Sequence, residues 1–238
     1  MLSFRGYYWC FDMKISYPLI LVNCKTYAEA TGDKAVKLGK MAESVSNKTG
    51  VCIAIAVQPT DIYRVASQCT IPVFAQHIDS QPQGAFTGHV TAEAVKEAGA
   101  IGTLLNHSEM RLRIDVIDEA IKRARSADLL TCVCANNAEV SKAVAALNPS
   151  MVAVEPPELI GTGISVSTAK PEDVLKTVDA VKFVNPTLPV LCGAGITTGS
   201  DVKAALKLGT VGVLVASGVV KAKNPEGVLL DFANACLR

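Results

Sequence analysis

The chain is predicted to fold as a single (β/α)8 barrel of the α/β class, and three observations predict it. Eight short apolar runs, many of them β-branched, recur at 19–22, 51–57, 73–75, 102–105, 129–133, 151–154, 190–191 and 211–215. Helical periodicities fill the gaps between them. With 238 residues, 50% of them hydrophobic, the chain can bury one large core and has the length of such a barrel without a second domain.

Most of the eight runs are continuously apolar rather than alternating, as strands covered on both faces should be. Among the helical stretches, Ile114, Ile117, Ile121 and Ala124 recur at spacings of three and four, and so do Leu38, Met41, Ala42 and Val45. Asn224-Pro225-Glu226 supplies an N-cap, a proline at the first helical position and an acid in the first turn. Val174, Val178 and Val181 follow Pro171-Glu172-Asp173 in the same style. Strand–helix alternation implies a parallel sheet, and eight units imply closure. An open doubly wound sheet is the runner-up. It would usually carry a glycine-rich first turn, whereas the first strand here ends in Asn23-Cys24-Lys25.

Composition excludes several classes. A net charge of +1 gives no basic surface for nucleic acid and no pull toward a membrane surface. No apolar run approaches the roughly 18 residues that span a bilayer. The N-terminus lacks the n-region, h-region and cleavage pattern of a secretory signal, so a cytoplasmic location is expected. The eight cysteines then read as reduced thiols; Cys24, Cys52, Cys132, Cys134 and Cys192 sit in apolar runs, and Cys132 and Cys134 share one strand face. Neither a CxxC pair nor paired histidines form a zinc spacing, and no metal is expected.

Residues 13–238 are read as the barrel domain and 1–12 as an N-terminal extension. The extension carries Phe4, Tyr7, Tyr8, Trp9 and Phe11, more aromatic side chains than a disordered tail would hold. It is expected to pack on the barrel's N-terminal rim, its outer helices or a neighbouring subunit; the alternative is a true start at Met13.

In a parallel barrel the C-terminal strand ends share one rim, where the active site is built. Those ends hold Asn23 and Lys25 after strand one, Asn106-His107-Ser108-Glu109 after strand four and Glu155 after strand six. Gly193-Ala194-Gly195 follows strand seven and Ala216-Ser217-Gly218 follows strand eight. Small residues in the last two turns let backbone N–H groups approach an anion, which makes them a candidate phosphate grip; the plain alternative is two tight turns. Ser108-Glu109 reads as the start of a short helix, whose N-terminus would keep the His107 ring neutral. His77 and His89 fall in the polar 76–89 loop and are expected to be loop residues. Glu155-Pro156-Pro157 and the glycine-rich stretch to Gly163 suggest a base beneath a lid.

Four segments in this order and spacing, Asn23-Cys24-Lys25, Gly84-Ala85-Phe86-Thr87-Gly88, His107-Ser108-Glu109, and Glu155-Pro156 with Ile160-Gly161-Thr162-Gly163, resemble the triosephosphate isomerase family, in particular its shorter archaeal branch. The resemblance runs from about Pro18 to the C-terminus and implies a TIM barrel that interconverts dihydroxyacetone phosphate and glyceraldehyde 3-phosphate without metal or cofactor. It implies that Glu155 is the base, that His107 is the electrophile polarising the carbonyl and that Lys25 stabilises the enediolate, with Asn23 beside it. Ile160, Gly195, Ala216 and Ser217 would hold the phosphate, and Glu109 would act from behind. The 76–89 loop resembles the family loop that docks into a neighbouring subunit, implying a homo-oligomer, with a tetramer favoured over a dimer.

The chain departs from the family pattern at Asn106, where a glycine is usual, and at Met110, where many members have arginine. The lid reads Pro157-Glu158-Leu159 instead of Val-Trp-Ala, and Ala216-Ser217 replaces a glycine pair. Two other readings stay open on the residues alone: another phosphate-binding barrel enzyme sharing the last two turns, and a non-catalytic barrel that binds sugar phosphates.

Overall fold

Eight parallel strands hydrogen-bond in sequence order and close on themselves, β1 pairing with both β2 and β8. The computed structural model describes residues 15–156 and 165–237. The 1–12 extension, Ile160 and most of the anticipated lid therefore lie outside the described residues.

The strands are β1 (Leu19–Asn23), β2 (Cys52–Val57), β3 (Val73–Ala75), β4 (Gly102–Leu105), β5 (Leu130–Ala135), β6 (Met151–Val154), β7 (Val190–Gly193) and β8 (Gly212–Val215). Between and after them run α1 (Asp33–Thr49), α2 (Ile62–Ala66), α3 (Ala92–Glu97), α4 (Ile114–Ser126), α5 (Ala138–Ala145), α6 (Val166–Ala169), α7 (Pro171–Val184), α8 (Gly199–Lys207), α9 (Ser217–Val220) and α10 (Pro225–Cys236). The predicted (β/α)8 barrel is the observed architecture.

Strand residues divide by parity into two buried sets, which is why the runs read as continuously apolar. Leu19, Leu21, Ala54, Ala56, Phe74, Leu104, Cys132, Cys134, Met151, Ala153, Leu191 and Leu214 fill the barrel. The residues between them, such as Ile20, Val22, Ile53, Ile55 and Val133, pack outward beneath the helices. Inside, size is matched across strands. Phe74 pairs with Gly102, and a Cβ on Gly102 would fall 2.4 Å from the Phe74 ring, so the glycine leaves the slot that the ring fills.

The helices bury the expected stripes with two corrections. On α4 the buried set is Ile117, Ala120, Ile121 and Ala124, while Ile114, at the first helical position, is 53% exposed. On α1 the buried set includes Gly39, and Met41 is only half-buried. A Cβ on Gly39 would meet Cys69 Sγ at 2.8 Å, so the helix approaches too closely there for any side chain. Asn224 caps α10 as predicted, its Oδ1 accepting from Gly227 N–H at 3.1 Å. Among the described residues, no helix is long and apolar enough to cross a membrane.

Candidate active site

The strand ends bring the predicted residues together. Asn23, Lys25, His107, Glu155, Gly195, Ala216 and Ser217 all line one cleft of about 510 Å³ at the C-terminal rim. Gly218 of the predicted turn lines it as well; Tyr27, Ile196 and Thr197 line it too and were not singled out in the sequence. Cys134 is buried inside the barrel beneath this rim, on the same face as Cys132 as predicted.

Lys25 stands two residues past β1 with φ 47, a left-handed conformation uncommon for a lysine. Two amides hold it there. Asn23 Oδ1 accepts from Lys25 N–H at 2.9 Å, and Gln76 Nε2 donates to Lys25 O at 2.9 Å and also reaches Asn23 Oδ1 at 3.3 Å. Backbone strain of this kind persists only where surrounding groups over-determine it. Gln76 directly follows β3, so reading that strand's end as well as the others would have found it. Lys25 Nζ bonds Glu109 Oε1 at 2.8 Å, with the lysine side chain 10% exposed.

His107 corrects one expectation. Ser108-Glu109 does not open a helix: residues 107–110 form a single turn closed by Met110 N–H on His107 O at 2.8 Å, and α4 begins only at Ile114. One turn carries too few aligned peptides for a helix dipole to act on the ring. A direct bond does that work instead. Glu109 N–H donates to His107 Nδ1 at 3.2 Å. Glu109 Oε2 also lies 3.5 Å from Nδ1, an ion-pair distance only for a charged ring. A nitrogen already accepting a backbone N–H has no proton to donate, so the ring is neutral with its proton on Nε2.

That proton faces Glu155, whose Oε2 lies 3.6 Å from Nε2. Glu155 follows β6, its N–H donating to Ala135 O at 2.8 Å, and it is 5% exposed. Oε2 is buried without a hydrogen-bond partner. A buried, unpartnered carboxylate oxygen is costly, and such atoms recur where an incoming group is to be met. Below it, burial pushes the Cys134 thiol well above its ordinary pKa, helped by the Glu155 charge and by a hydrogen bond to that carboxylate. The thiol therefore remains a neutral S–H donor.

At the other end of the cleft, Ala194 and Gly195 both have φ 71, so the chain turns sharply after β7. Thr198 and Asp201 then form a reciprocal cap on α8. The turn after β8 packs against this one: a Cβ on Gly218 would stand 2.5 Å from Ile196 O. Among the described residues no group of three or more His, Cys, Asp or Glu side chains could hold a metal ion.

Comparison with known proteins matches residues 18–236 to the triosephosphate isomerase family. The chain is 54% identical over 217 residues to the triosephosphate isomerase of Methanobacterium bryantii, covering 91% of this chain and 96% of that one. It is 54% identical over 214 residues to that of Methanocaldococcus jannaschii, covering 90% and 98%. The chain belongs to the triosephosphate isomerase family. Its function is that of a triosephosphate isomerase, an enzyme that interconverts dihydroxyacetone phosphate and glyceraldehyde 3-phosphate. Of the substrate-binding residues that the triosephosphate isomerase resemblance implied, Ile160 alone lies outside the described residues.

Proposed function

We propose that Glu155, His107 and Lys25 divide the isomerisation among them. Glu155 takes the proton from one substrate carbon through Oε2 and returns it to the neighbouring carbon. His107 Nε2–H donates to the carbonyl oxygen as negative charge gathers there, and Lys25 stabilises the enediolate through its fixed positive charge. This division matches the family's established pairing of a carboxylate base with a neutral imidazole. The observation that carries it is the buried, unpartnered Glu155 Oε2 at 3.6 Å from His107 Nε2. Asn23 supports Lys25, and Glu109 supports both Lys25 and the ring.

The phosphate is held by Gly195, Ala216 and Ser217, together with Ile160, through backbone or hydroxyl groups. Excluding water from the site keeps the enediolate from losing phosphate. The catalytic unit is 13–238, and residues 1–12 take no part in the chemistry.

The working form is a homo-oligomer, a tetramer in preference to a dimer, in the cytoplasm. Support comes from a second cleft of about 830 Å³ beside the first, lined by Lys25, Gln76, His77, His107, Glu109 and Met110. A neighbour's 84–88 loop would fill it, and Phe86 and Met110 are exposed apolar groups, at 42% and 51%, that such docking would cover.

A coupled assay on purified protein with dihydroxyacetone phosphate tests the reading, alongside mass measurement in solution. Robust turnover by the wild type, with kcat lower on the order of 10²–10⁴-fold in Glu155→Gln, supports it. A folded wild type without activity overturns it.

A further inference from the structure

We propose that Asn106 is a positioning residue whose side chain sets His107 against Glu155; the proposal rests on the roles given to those two residues above. Asn106 joins β4 to His107 at φ 57, and it is 5% exposed. A left-handed position there explains why the residue is glycine or asparagine. It does not explain what the amide does.

The amide makes two bonds in opposite directions. Oδ1 accepts from Leu112 N–H at 2.9 Å, so the side chain closes the 106–112 segment into a ring that carries His107 and Glu109. Nδ2 donates to Cys134 O at 2.9 Å, tying that ring to β5. Cys134 O is the carbonyl next to Ala135 O, which accepts the Glu155 N–H at 2.8 Å, and Cys134 is also the register partner of Ala153 on β6. One buried side chain thus spans the support of the imidazole and the strand pair that supports the carboxylate. Arg111 Nη1 adds a third restraint, donating to Asn106 O at 2.9 Å.

Without this clamp the 107–110 turn keeps the Lys25–Glu109 ion pair and the Arg111 bond to the residue 106 carbonyl but loses its ties to β5 and to Leu112 N–H. The Glu109 N–H to Nδ1 bond, which fixes the ring's tautomer, would then exchange with alternatives. The clamp acts on the reacting geometry, and the phosphate turns after β7 and β8 do not touch it.

Asn106→Gly separates backbone from side chain, because glycine keeps the left-handed φ and removes the amide. The expected result is a kcat at least about tenfold lower with KM within about threefold, short of the ~10²-fold that a full 1 Å misplacement can cost. Nitrogen NMR of the imidazole should change from a single Nε2–H tautomer to a mixture. Asn106→Asp also tolerates the left-handed φ and keeps the Leu112 bond but faces Cys134 O with an acceptor. It should lose kcat in the same sense, and it decides the matter if the glycine variant does not fold. A folded variant with kcat within about twofold of wild type overturns the proposal. So does a kcat loss that merely follows a lower Tm or a rising KM while the tautomer stays fixed. A wild type lacking isomerase activity would instead overturn the roles of Glu155 and His107, which keeps the two failures distinct.

Discussion

Gly193 makes room for Glu155. A Cβ on Gly193 would stand 2.5 Å from Glu155 Cγ and 3.0 Å from Oε1. β6 and β7 pair in register at Val154 and Cys192, so the next residue on each strand flanks the same spot at the rim. The glycine is needed for space, since real side chains do not approach so closely. Gly193→Ala should displace the carboxylate and lower kcat by roughly 10–10²-fold, the range expected for a misplacement of about 1 Å. Steady-state kinetics of the purified variant checks this, and a wild-type kcat would show that Glu155 works from another position.

Removing the base itself should cost more. Glu155→Gln keeps the shape and loses the proton acceptor, so kcat should fall on the order of 10²–10⁴-fold with KM much less affected. Glu155→Asp retains a base but draws it back, and should cost somewhat less. An unchanged kcat in either variant rules out the assigned role.

For His107 the structure makes a tautomer claim. Nδ1 accepts the Glu109 N–H, so nitrogen NMR at neutral pH should find the proton on Nε2. His107→Gln should retain more activity than His107→Ala, because an amide can still donate to the carbonyl oxygen. Equal activity of the two variants, or a proton on Nδ1, would contradict the donor role.

How far the sequence carried the reading depends on which residues it concerns. The eight strands and the rim positions were legible because a parallel barrel imposes two-sided burial and places every strand's C-terminal end on one face. Lys25, His107 and Glu155 follow from that rule alone. The left-handed φ of Lys25 and the Gln76 bracket around it did not, since they depend on contacts between strand ends far apart in sequence. Ser108-Glu109 was misread as a helix start for the opposite reason. Local pattern favours a helix there, but the Asn106 amide pulls Leu112 N–H back across the segment and keeps it a turn.

Asp79 should make the 76–89 loop sensitive to acid. Burial pushes its carboxyl up, but Val90 N–H at 2.7 Å and the nearby His77 and His89 rings outweigh this and hold it below the ordinary Asp value. A folded pKa below the unfolded one means that the stabilisation is present above about pH 3.9 and is lost as pH falls through the folded value. Asp79→Asn keeps an acceptor for Val90 N–H but loses the charge, so it should cost about 1 kcal/mol near neutral pH, the difference between a hydrogen bond to a charged group and one to a neutral group. The gap in Tm between variant and wild type should narrow below about pH 4. A gap that is constant with pH would mean that the carboxylate charge is not what the loop uses.

The phosphate end can be tested independently of the proton transfer. Gly195 has φ 71 and lines the cleft beside Ser217, and the turns bearing them pack together at Gly218 and Ile196 O. Gly195→Val would place a β-branched side chain on a left-handed backbone and fill the space where the anion is proposed to lie. Both effects oppose phosphate binding, so KM should rise and kcat should fall, since binding energy from the non-reacting phosphate also serves to orient the reacting carbons. Phosphoglycolate carries the same phosphate dianion with an unreactive carboxylate in place of the carbonyl, so it reports binding without turnover. Its affinity should fall by at least about tenfold in Gly195→Val, a difference of about 1.4 kcal/mol or more. Ser217→Ala, which keeps the backbone N–H groups and removes one hydroxyl, should show a smaller loss. Normal binding of phosphoglycolate by a folded Gly195→Val variant would place the phosphate elsewhere on the rim.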